Sequence, residues 1–437
     1  MSVLFRREPS GSAGVTRAAE RGLTERPNAA QLDEIAKIVE QRLVTVEFQP
    51  IVNMATGKTV GFETFARGPA NSPLATPQAM FRAAAAAGLI GELDLVAANA
   101  AFAAARFSPQ LNDLTFFLNT DPAGLTQQRS PQLLDTAMTA IAALRIVIEL
   151  PEHALVRDPV ATIAAAAQLR AAGAKVAIDN VGSTPQGLAL IPFLRPEVIK
   201  LSPQLVTSPV QRMAQIMDAV VSYTERSSGL IVAQGIEQDT HARSAAGMGA
   251  ALGQGYLYGH PMTVPVAQDA KTEPLEVDRT DEPVDVTTTP YEMLAADRTA
   301  SRVDTAMFDA LATRLMDRAE AASEPFVMII AGTDTGYLAG GRSSRLRTLG
   351  SKASLLLLLT TATDLVTTRE QTVARLEGGD RLRDERVLAV VSPYDASILV
   401  AKPVEDGGYD CMLSHDRSLV LRAARGMLAR ATPSPTA

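Results

Sequence analysis

Residues 175–180 read Lys-Val-Ala-Ile-Asp-Asn: a charged start, three apolar residues, then a carboxylate and an amide side by side. A short apolar run that stops on a polar side chain reads as a buried strand whose end carries chemistry. The same grammar recurs on both sides. Upstream, Thr59–Phe62 stops at Glu63, Leu114–Leu118 at Asn119 and Arg145–Ile148 at Glu149; downstream, Glu197–Ile199 stops at Lys200 and Leu230–Ala233 at Gln234. Thr45–Phe48 is a further run of this kind. Between them lie Met80–Ala87, Leu93–Ala105, Pro131–Ala143, Ala161–Ala172, Gln211–Glu225 and Thr240–Met248, whose Ala and Leu content favours helix.

Strand–helix alternation over this length predicts an α/β fold whose parallel sheet closes into a (β/α)8-type barrel. Gly57-Lys58 between the first two runs reads as a hairpin, which makes the first strand antiparallel. In such a barrel the carboxyl ends of the strands meet on one face. Glu63, Asn119, Glu149, Asp179, Lys200 and Gln234 are therefore expected around one mouth. Any one of them alone reads as a loop carboxylate or a surface ion pair; six in register do not. Three carboxylates gathered there need Lys200 or a cation to offset their charge, and an all-oxygen set of Glu63, Asn119, Glu149 and Asp179 suits Mg²⁺, Mn²⁺ or Ca²⁺.

The 437-residue chain is long enough for two domains. The net charge of -7 tilts against nucleic-acid partners, which need a concentrated basic face, and the absence of tryptophan tilts against a base-stacking platform. The single Cys411 excludes an internal disulfide and fits a reducing cytoplasm, and it reads as a small core residue. No secretory signal follows Arg6 and Arg7, the longest aliphatic run, Leu355–Leu359, is too short for a bilayer, and the four histidines lack zinc-ligand spacing. Residues 1–29 read as a flexible arm, 30–265 as the barrel, 266–290 as a linker and 291–437 as a smaller α/β domain. The linker assignment rests on seven acidic residues between Asp269 and Asp285, with Pro274 and Pro283, which predict an extended, self-repelling segment.

Over residues 40–262 the chain resembles the EAL family of cyclic di-GMP phosphodiesterases. Phe48-Gln49-Pro50-Ile51 looks like the family's opening strand, and Glu63-Thr64-Phe65-Ala66-Arg67 stands where the name-giving motif and its trailing arginine belong. Leu118-Asn119, Glu149-Leu150-Pro151-Glu152, Asp179-Asn180-Val181-Gly182, Ile199-Lys200-Leu201, Gln234-Gly235-Ile236-Glu237 and Gln254-Gly255-Tyr256 follow in the family's order. The resemblance implies that Glu63, Asn119, Glu149 and Asp179 hold a metal and that Lys200 orients the attacking water. It places Gln49, Phe65, Arg67, Asp94 and Gln254 along the dinucleotide, Arg67 toward a phosphate oxygen.

Against the family pattern, Asn180 replaces the second aspartate of a pair and Gln234 replaces a glutamate. Two negative charges are lost from one cavity, whereas two-metal hydrolysis needs paired ions. The departures imply one Mg²⁺ or Mn²⁺ (Ca²⁺ substituting) and no second metal. Phe65 stands for the leucine of the motif, Val181 for the aromatic of a flexible loop, and Ser183-Thr184-Pro185 for its glycine-containing tip, with Pro185 stiffening it. Glu152 either holds that loop through Ser183 or is a plain acid at a helix start.

These readings make the barrel a degenerate domain, a cytoplasmic cyclic di-GMP receptor or protein-binding platform with little or no hydrolysis. The alternatives are a slow metal-dependent phosphodiesterase giving linear pGpG and a scaffold in which Phe65 blocks the base pocket. Partners implied are cyclic di-GMP, a protein, and by resemblance a second copy pairing near Asn180–Pro185. In the second domain an amphipathic stretch, Val303–Ala322, precedes strand-like Phe326–Ala331, Leu355–Leu359, Arg386–Val391 and Ser397–Ala401, and Leu419–Ala431 reads as a last helix. Asp395–Ala401 and the segments around His415-Asp416-Arg417 and Leu419–Arg425 resemble the DICT sensory domain, implying a sensor or contact module; an α/β dimerisation domain is the alternative. His415-Asp416-Arg417 is taken as structural.

Overall fold

The structure is a computed structural model describing residues 26–106, 113–127, 130–264, 272–277, 284–332, 341–363, 365–405 and 407–431. The first domain opens with α1 (Ala29–Glu40), which Asn28 and Gln31 start with a reciprocal capping box. Then come β1 (Thr45–Asn53), β2 (Thr59–Arg67), α2 (Pro77–Ala87), α3 (Ile90–Arg106), β3 (Thr115–Asn119), α4 (Pro131–Ala143), β4 (Arg145–Pro151), α5 (Glu152–Arg157) and α6 (Pro159–Ala171). They are followed by β5 (Lys175–Val181), α7 (Gln186–Leu194), β6 (Val198–Leu201), α8 (Val210–Ser227), β7 (Leu230–Ala233), α9 (Asp239–Gly247) and β8 (Leu252–Gln254).

The eight strands close into a barrel in chain order. β1 runs antiparallel to both β2 and β8, and the other neighbours are parallel. Gly57, at φ +69°, makes the tight return between β1 and β2 that a side chain would strain. The expected hairpin is therefore present. The strand at Leu252–Gln254 was not among the runs expected from the sequence, because three residues leave no apolar period to read.

Side chains alternate across each strand, so residues two apart share the barrel interior. One interior layer is apolar: Ile51, Phe117, Val147, Ala177, Val198, Val232 and Leu252 pack together. Two residues toward the mouth along the same strands stand Gln49, Asn119, Glu149, Asp179, Lys200, Gln234 and Gln254. The period of two thus sets a polar layer directly on an apolar one.

The presumed linker is corrected. Residues 272–277 are not a self-repelling spacer: Leu275 and Val277 are buried in the apolar layer and close the barrel's lower end. Glu273 accepts from Asn53 and Thr56 and pairs with Lys58 at 3.5 Å, and its N–H bonds Thr59 O. Arg145 donates to Leu275 O and pairs with Glu276, and Lys175 Nζ donates to Val277 O. Glu273 and Glu276 are thus matched by Lys58 and Arg145, so these two acids do not force the chain away. Asp269, Asp278, Asp281 and Glu282, and residues 1–25 of the expected arm, lie outside the described residues.

The second domain comprises α10 (Pro290–Ala295), β9 (Ser301–Val303), α11 (Thr305–Ala321), β10 (Val327–Ala331), α12 (Gly341–Lys352), β11 (Leu355–Thr360), β12 (Thr372–Arg375), β13 (Arg386–Val391), β14 (Ala396–Val404), β15 (Gly408–Ser414) and α13 (Arg417–Ala429). Its seven strands form one mixed sheet in the order β12-β11-β10-β13-β14-β15-β9. The tripeptide His415-Asp416-Arg417 is structural as expected. Asp416 caps α13, Arg417 donates to the carbonyls of Ser392, Pro393 and Asp395, and His415 Nδ1 meets Ser397 Oγ at 2.8 Å. Cys411 is buried on β15, and burial pushes its thiol up to about 11.

The two domains touch through α7. Residues Gly187–Leu194 are all buried, and α13 packs on this helix. Arg425 Nε donates to Pro192 O at 3.0 Å, Ser354 Oγ to Gln186 O at 2.8 Å, and Tyr394 Oη to Gln215 O at 2.9 Å.

Candidate functional site

Lys200 stands at the centre of the polar layer with no exposed surface. Its ammonium donates to Glu149 Oε1 and, at 2.7 Å, to Glu63 Oε2, and lies 3.8 Å from Asp179 Oδ1. Burial alone would lower the lysine, but Glu149, Glu63 and Asp179 outweigh it and hold it well above its ordinary value. Burial also raises the acids. Glu63 nevertheless ends below the usual carboxylate range, because Lys200, Gln254 and Asn119 all favour its charge. Glu149 ends well above that range, pushed by burial and by the charge of Glu63. Asp179 is raised by burial, which Lys200 offsets only in part.

The amides complete the network. Gln254 Nε2 donates to Glu63 Oε2 at 2.7 Å and to Gln49 Oε1 at 3.1 Å, and Gln49 Nε2 donates to Gly259 O at 3.0 Å. Asn119 Nδ2 donates to Glu63 Oε1 at 3.1 Å. Gln234 Nε2 donates to Asp179 Oδ1 at 3.0 Å, and Asn180 Nδ2 to Asp179 Oδ2 at 2.6 Å. An ionised carboxylate only accepts, so each amide must turn its NH2 toward it. Both oxygens of Asp179 are thereby engaged by the two amides at 180 and 234. Asn180 adopts φ +61°, a left-handed conformation that asparagine tolerates better than most residues.

The loop after β5 is anchored. Glu152 accepts from Gly182 N at 3.2 Å, Thr184 N at 3.0 Å and Ser183 Oγ. Of its two readings, the loop-holding one is the one the structure bears out. Arg212 adds bonds to the carbonyls of Gly182 and Ser183. Gly187, one turn on, is required: a Cβ there would lie 2.2 Å from Glu152 Oε1.

A cavity of about 810 Å³ opens above this layer. Gln49, Glu63, Phe65, Asp94, Asn119, Asp179, Asn180, Gln234 and Gln254 line it, so most expected site residues are brought together, while Glu149 and Lys200 lie just beneath. Asp94 reaches it from α3 and accepts from Asp121 N at 3.0 Å. Arg67 is not among the residues that line the cavity; its guanidinium pairs with Glu47 at 2.7 Å and lies 5.6 Å from the ring of Phe65, which does line it. Missed in the sequence was the wall contributed by α2, where Gln78, Phe81, Arg82 and Ala85 border the cavity. Their i, i+3, i+4, i+7 spacing marks one helix face, the signal that was available.

The donor set suits a hard dication. All its atoms are oxygens, and among the described residues Glu149 Oε2, Gln234 Oε1 and Gln254 Oε1 are buried without a hydrogen-bond partner. Such orphaned acceptors are costly unless a cation or water meets them. No group of three His, Cys, Asp or Glu among the described residues is poised as a metal cluster, because the carboxylates gather on Lys200 instead. The oxygens present suit a divalent cation, which would share the carboxylates with the ammonium.

A closed barrel with its first strand reversed, carrying at its mouth a lysine ringed by carboxylates and amides, makes this a (β/α)-barrel protein with an oxygen-rich site at the strand ends. Residues 32–261, more than half of the chain, match the EAL domain, and the chain belongs to that family. It is 26% identical over 227 residues to a probable cyclic di-GMP phosphodiesterase, PdeB, of Escherichia coli (strain K12), covering 50% of this chain and 43% of that protein. The chain spans less than half the length of the first curated relatives it matches, 43%, 36% and 27%. Similar solved structures include the Klebsiella pneumoniae BlrP1 manganese/cy-diGMP complex at pH 6, 28% identical, TM-score 0.46, covering 52% of this chain and 57% of that one. Another is the PaMucR phosphodiesterase c-di-GMP complex, 23% identical, TM-score 0.45, covering 53% and 97%. The DICT resemblance of the second domain has no counterpart in the family match, which ends at residue 261. No helix among the described residues is long and apolar enough to cross a membrane.

Proposed function

We propose that the barrel is a cyclic di-GMP receptor that binds at most one divalent cation and hydrolyses its ligand slowly or not at all. Membership of the EAL family and the names of its curated relatives support the ligand. The single observation that carries the loss of chemistry is the pair of amide bonds at Asp179. A carboxylate at either position would repel Asp179 and call for a second dication; an amide instead donates to it and leaves no charge to offset. A bound Mg²⁺ or Mn²⁺ at the oxygens of Glu63, Asn119, Glu149 and Asp179 would polarise a phosphodiester oxygen. The protein's own part is to seat the dinucleotide in the cavity and to hold Asp179 and the following loop in place through Asn180, Gln234 and Glu152. Lys200, locked on two carboxylates, sustains the charge balance of the layer.

The second reading, a slow phosphodiesterase, draws on the retention of Glu63, Asn119, Glu149, Asp179 and Lys200 together. A scaffold blocked by Phe65 is disfavoured by the open cavity that Phe65 borders. Incubation of the full chain with cyclic di-GMP and Mn²⁺, followed by chromatography for pGpG, separates these readings. The account expects binding by calorimetry in Ca²⁺ with intact nucleotide recovered from Mn²⁺. Asn180→Asp combined with Gln234→Glu is expected to raise turnover about tenfold or more, equivalent to ~1.4 kcal/mol of barrier. Rapid turnover by the wild type would overturn the receptor reading.

A further inference from the structure

The second domain meets the barrel at the two helices that flank the loop after β5. Tyr394 Oη donates to Gln215 O of α8 at 2.9 Å, and Ser354 Oγ donates to Gln186 O, at the start of α7, at 2.8 Å. Both helices also hold the loop. In α8, Arg212 donates to Gly182 O at 2.8 Å and to Ser183 O at 3.1 Å, and a Cβ on Gly182 would lie 2.9 Å from Ile216 Cδ1. Gln215 thus sits between the two residues of α8 that carry the loop. In α7, Gln186 follows Pro185 directly, and Gly187 abuts Glu152, the acid that accepts from Gly182, Ser183 and Thr184. The loop in turn reaches the polar layer: Ser183 N donates to Asn180 O at 3.3 Å, and Asn180 donates to Asp179.

The two contacts share one base. Leu355 and Val391 both stand opposite Val327, so Ser354 and the turn Ser392–Asp395 leave the sheet at the same end. Arg417 donates to the carbonyls of Ser392, Pro393 and Asp395, which ties the turn bearing Tyr394 to α13. From α13, Arg425 adds a third contact, to Pro192 O. Beside it the joint is not solid: a cavity of about 490 Å³ lies among Arg195, Met293, Ala296 and Arg422. Contacts between domains of one chain are generally able to shift.

We propose that the second domain braces the loop after β5 through α7 and α8, so that a change in its docking alters the order of the loop and the affinity of the cavity; the affinity clause rests on the reading that the barrel binds cyclic di-GMP. The test is amide hydrogen exchange of Gly182, Ser183 and Thr184 in the full chain, with calorimetric titration of cyclic di-GMP in Ca²⁺. It compares wild type, a variant combining Ser354→Ala, Tyr394→Phe and Arg425→Ala, and Arg302→Ala. Arg302 pairs with Asp410 at the edge strand β9 and serves as the control. Thermal unfolding identifies the variants that fold; Ser354→Ala and Tyr394→Phe singly, each losing one hydroxyl, stand in if the combined variant does not. Removing all three contacts is expected to speed loop exchange about tenfold and to weaken binding about threefold or more, because the ligand then has to order the loop. The single changes should each speed exchange about threefold, and Arg302→Ala should stay within about twofold of wild type in both readouts. Wild-type loop exchange in the folded combined variant, or in the two single variants, would overturn the brace. Faster exchange with unchanged affinity would overturn its control of the site. A wild type that binds no cyclic di-GMP would overturn the receptor reading, while loop exchange still decides the brace.

Discussion

Lys200, Glu149 and Glu63 are buried together, and their energetics follow from charge that cannot reach water. Lys200→Met would leave three carboxylates facing one another with no ammonium between them. The expected cost is about 3–5 kcal/mol, read as a lower denaturation midpoint, the usual consequence of removing one partner from a buried ion pair. Glu149 behaves oppositely. Burial and Glu63 raise it, so the folded chain holds this proton more tightly than the unfolded chain does. That contribution is complete below the unfolded value and is lost as pH rises through the folded one. Glu149→Gln cannot ionise and escapes the loss, so its Tm relative to wild type should climb as pH rises above the unfolded carboxyl value. A gain of ~1 kcal/mol corresponds to roughly 2–4 °C in a domain the size of the barrel. A constant Tm difference over that range would show that Glu149 does not carry the proton. At this scale the strand-end residues were legible because each terminates an apolar run. The Glu47–Arg67 pair was readable too: the hairpin pairs Glu47 with Phe65, leaving Arg67 diagonal to Glu47 on one face.

Among the elements, the segment at 272–277 misled most. Seven acids across the whole stretch hid the alternation of Leu275 and Val277, which is a two-residue strand-like pattern without neighbours to support it. Once the strand starts are known to carry Lys58 and Arg145, Glu273 and Glu276 have partners, Lys175 reaches Val277 O, and the two apolar side chains have a hole to fill. Leu275→Ala should cost about 2–5 kcal/mol in denaturant unfolding, as a large-to-small change in a filled barrel end does. A change below about 0.5 kcal/mol, the range of surface substitutions, would restore the linker reading. The loop after β5 gives a second expectation at this scale. Gly187→Ala drives a methyl into Glu152, so the bonds to Gly182, Ser183 and Thr184 loosen and amide exchange there should accelerate. Protected amides at wild-type rates would mean that Glu152 does not hold the loop. Many strands and helices of both domains were legible from apolar runs and Ala-rich stretches; the short β8, β9 and β12 were not, since three or four residues define no period, and β15, α1, α7, α10 and α12 were also absent from the sequence reading.

For the whole molecule, the second domain lies on α7, the helix that continues from the loop bearing Asn180 and Ser183. The homodimer expected near Asn180–Pro185 therefore has a neighbour to contend with, because the chain's own α13 already covers the next helix. Arg425→Ala with Tyr394→Phe removes two of the hydrogen bonds that join the domains, each worth ~1 kcal/mol. Calorimetric unfolding of that variant should separate into two transitions; one unchanged transition would show that apolar packing alone couples the domains. This contact could not be read from the sequence, since nothing local in α7 distinguishes a helix buried on one side from one buried on both. The account as a whole depends on Asp179 being held by two amides where a second cation would otherwise be needed. The most direct measurement is the number of Mn²⁺ ions bound per chain at saturating Mn²⁺ and cyclic di-GMP, read by metal analysis with electron paramagnetic resonance. One ion or none per chain, with no spin-coupled pair, is the predicted result; two ions forming a coupled pair would contradict it.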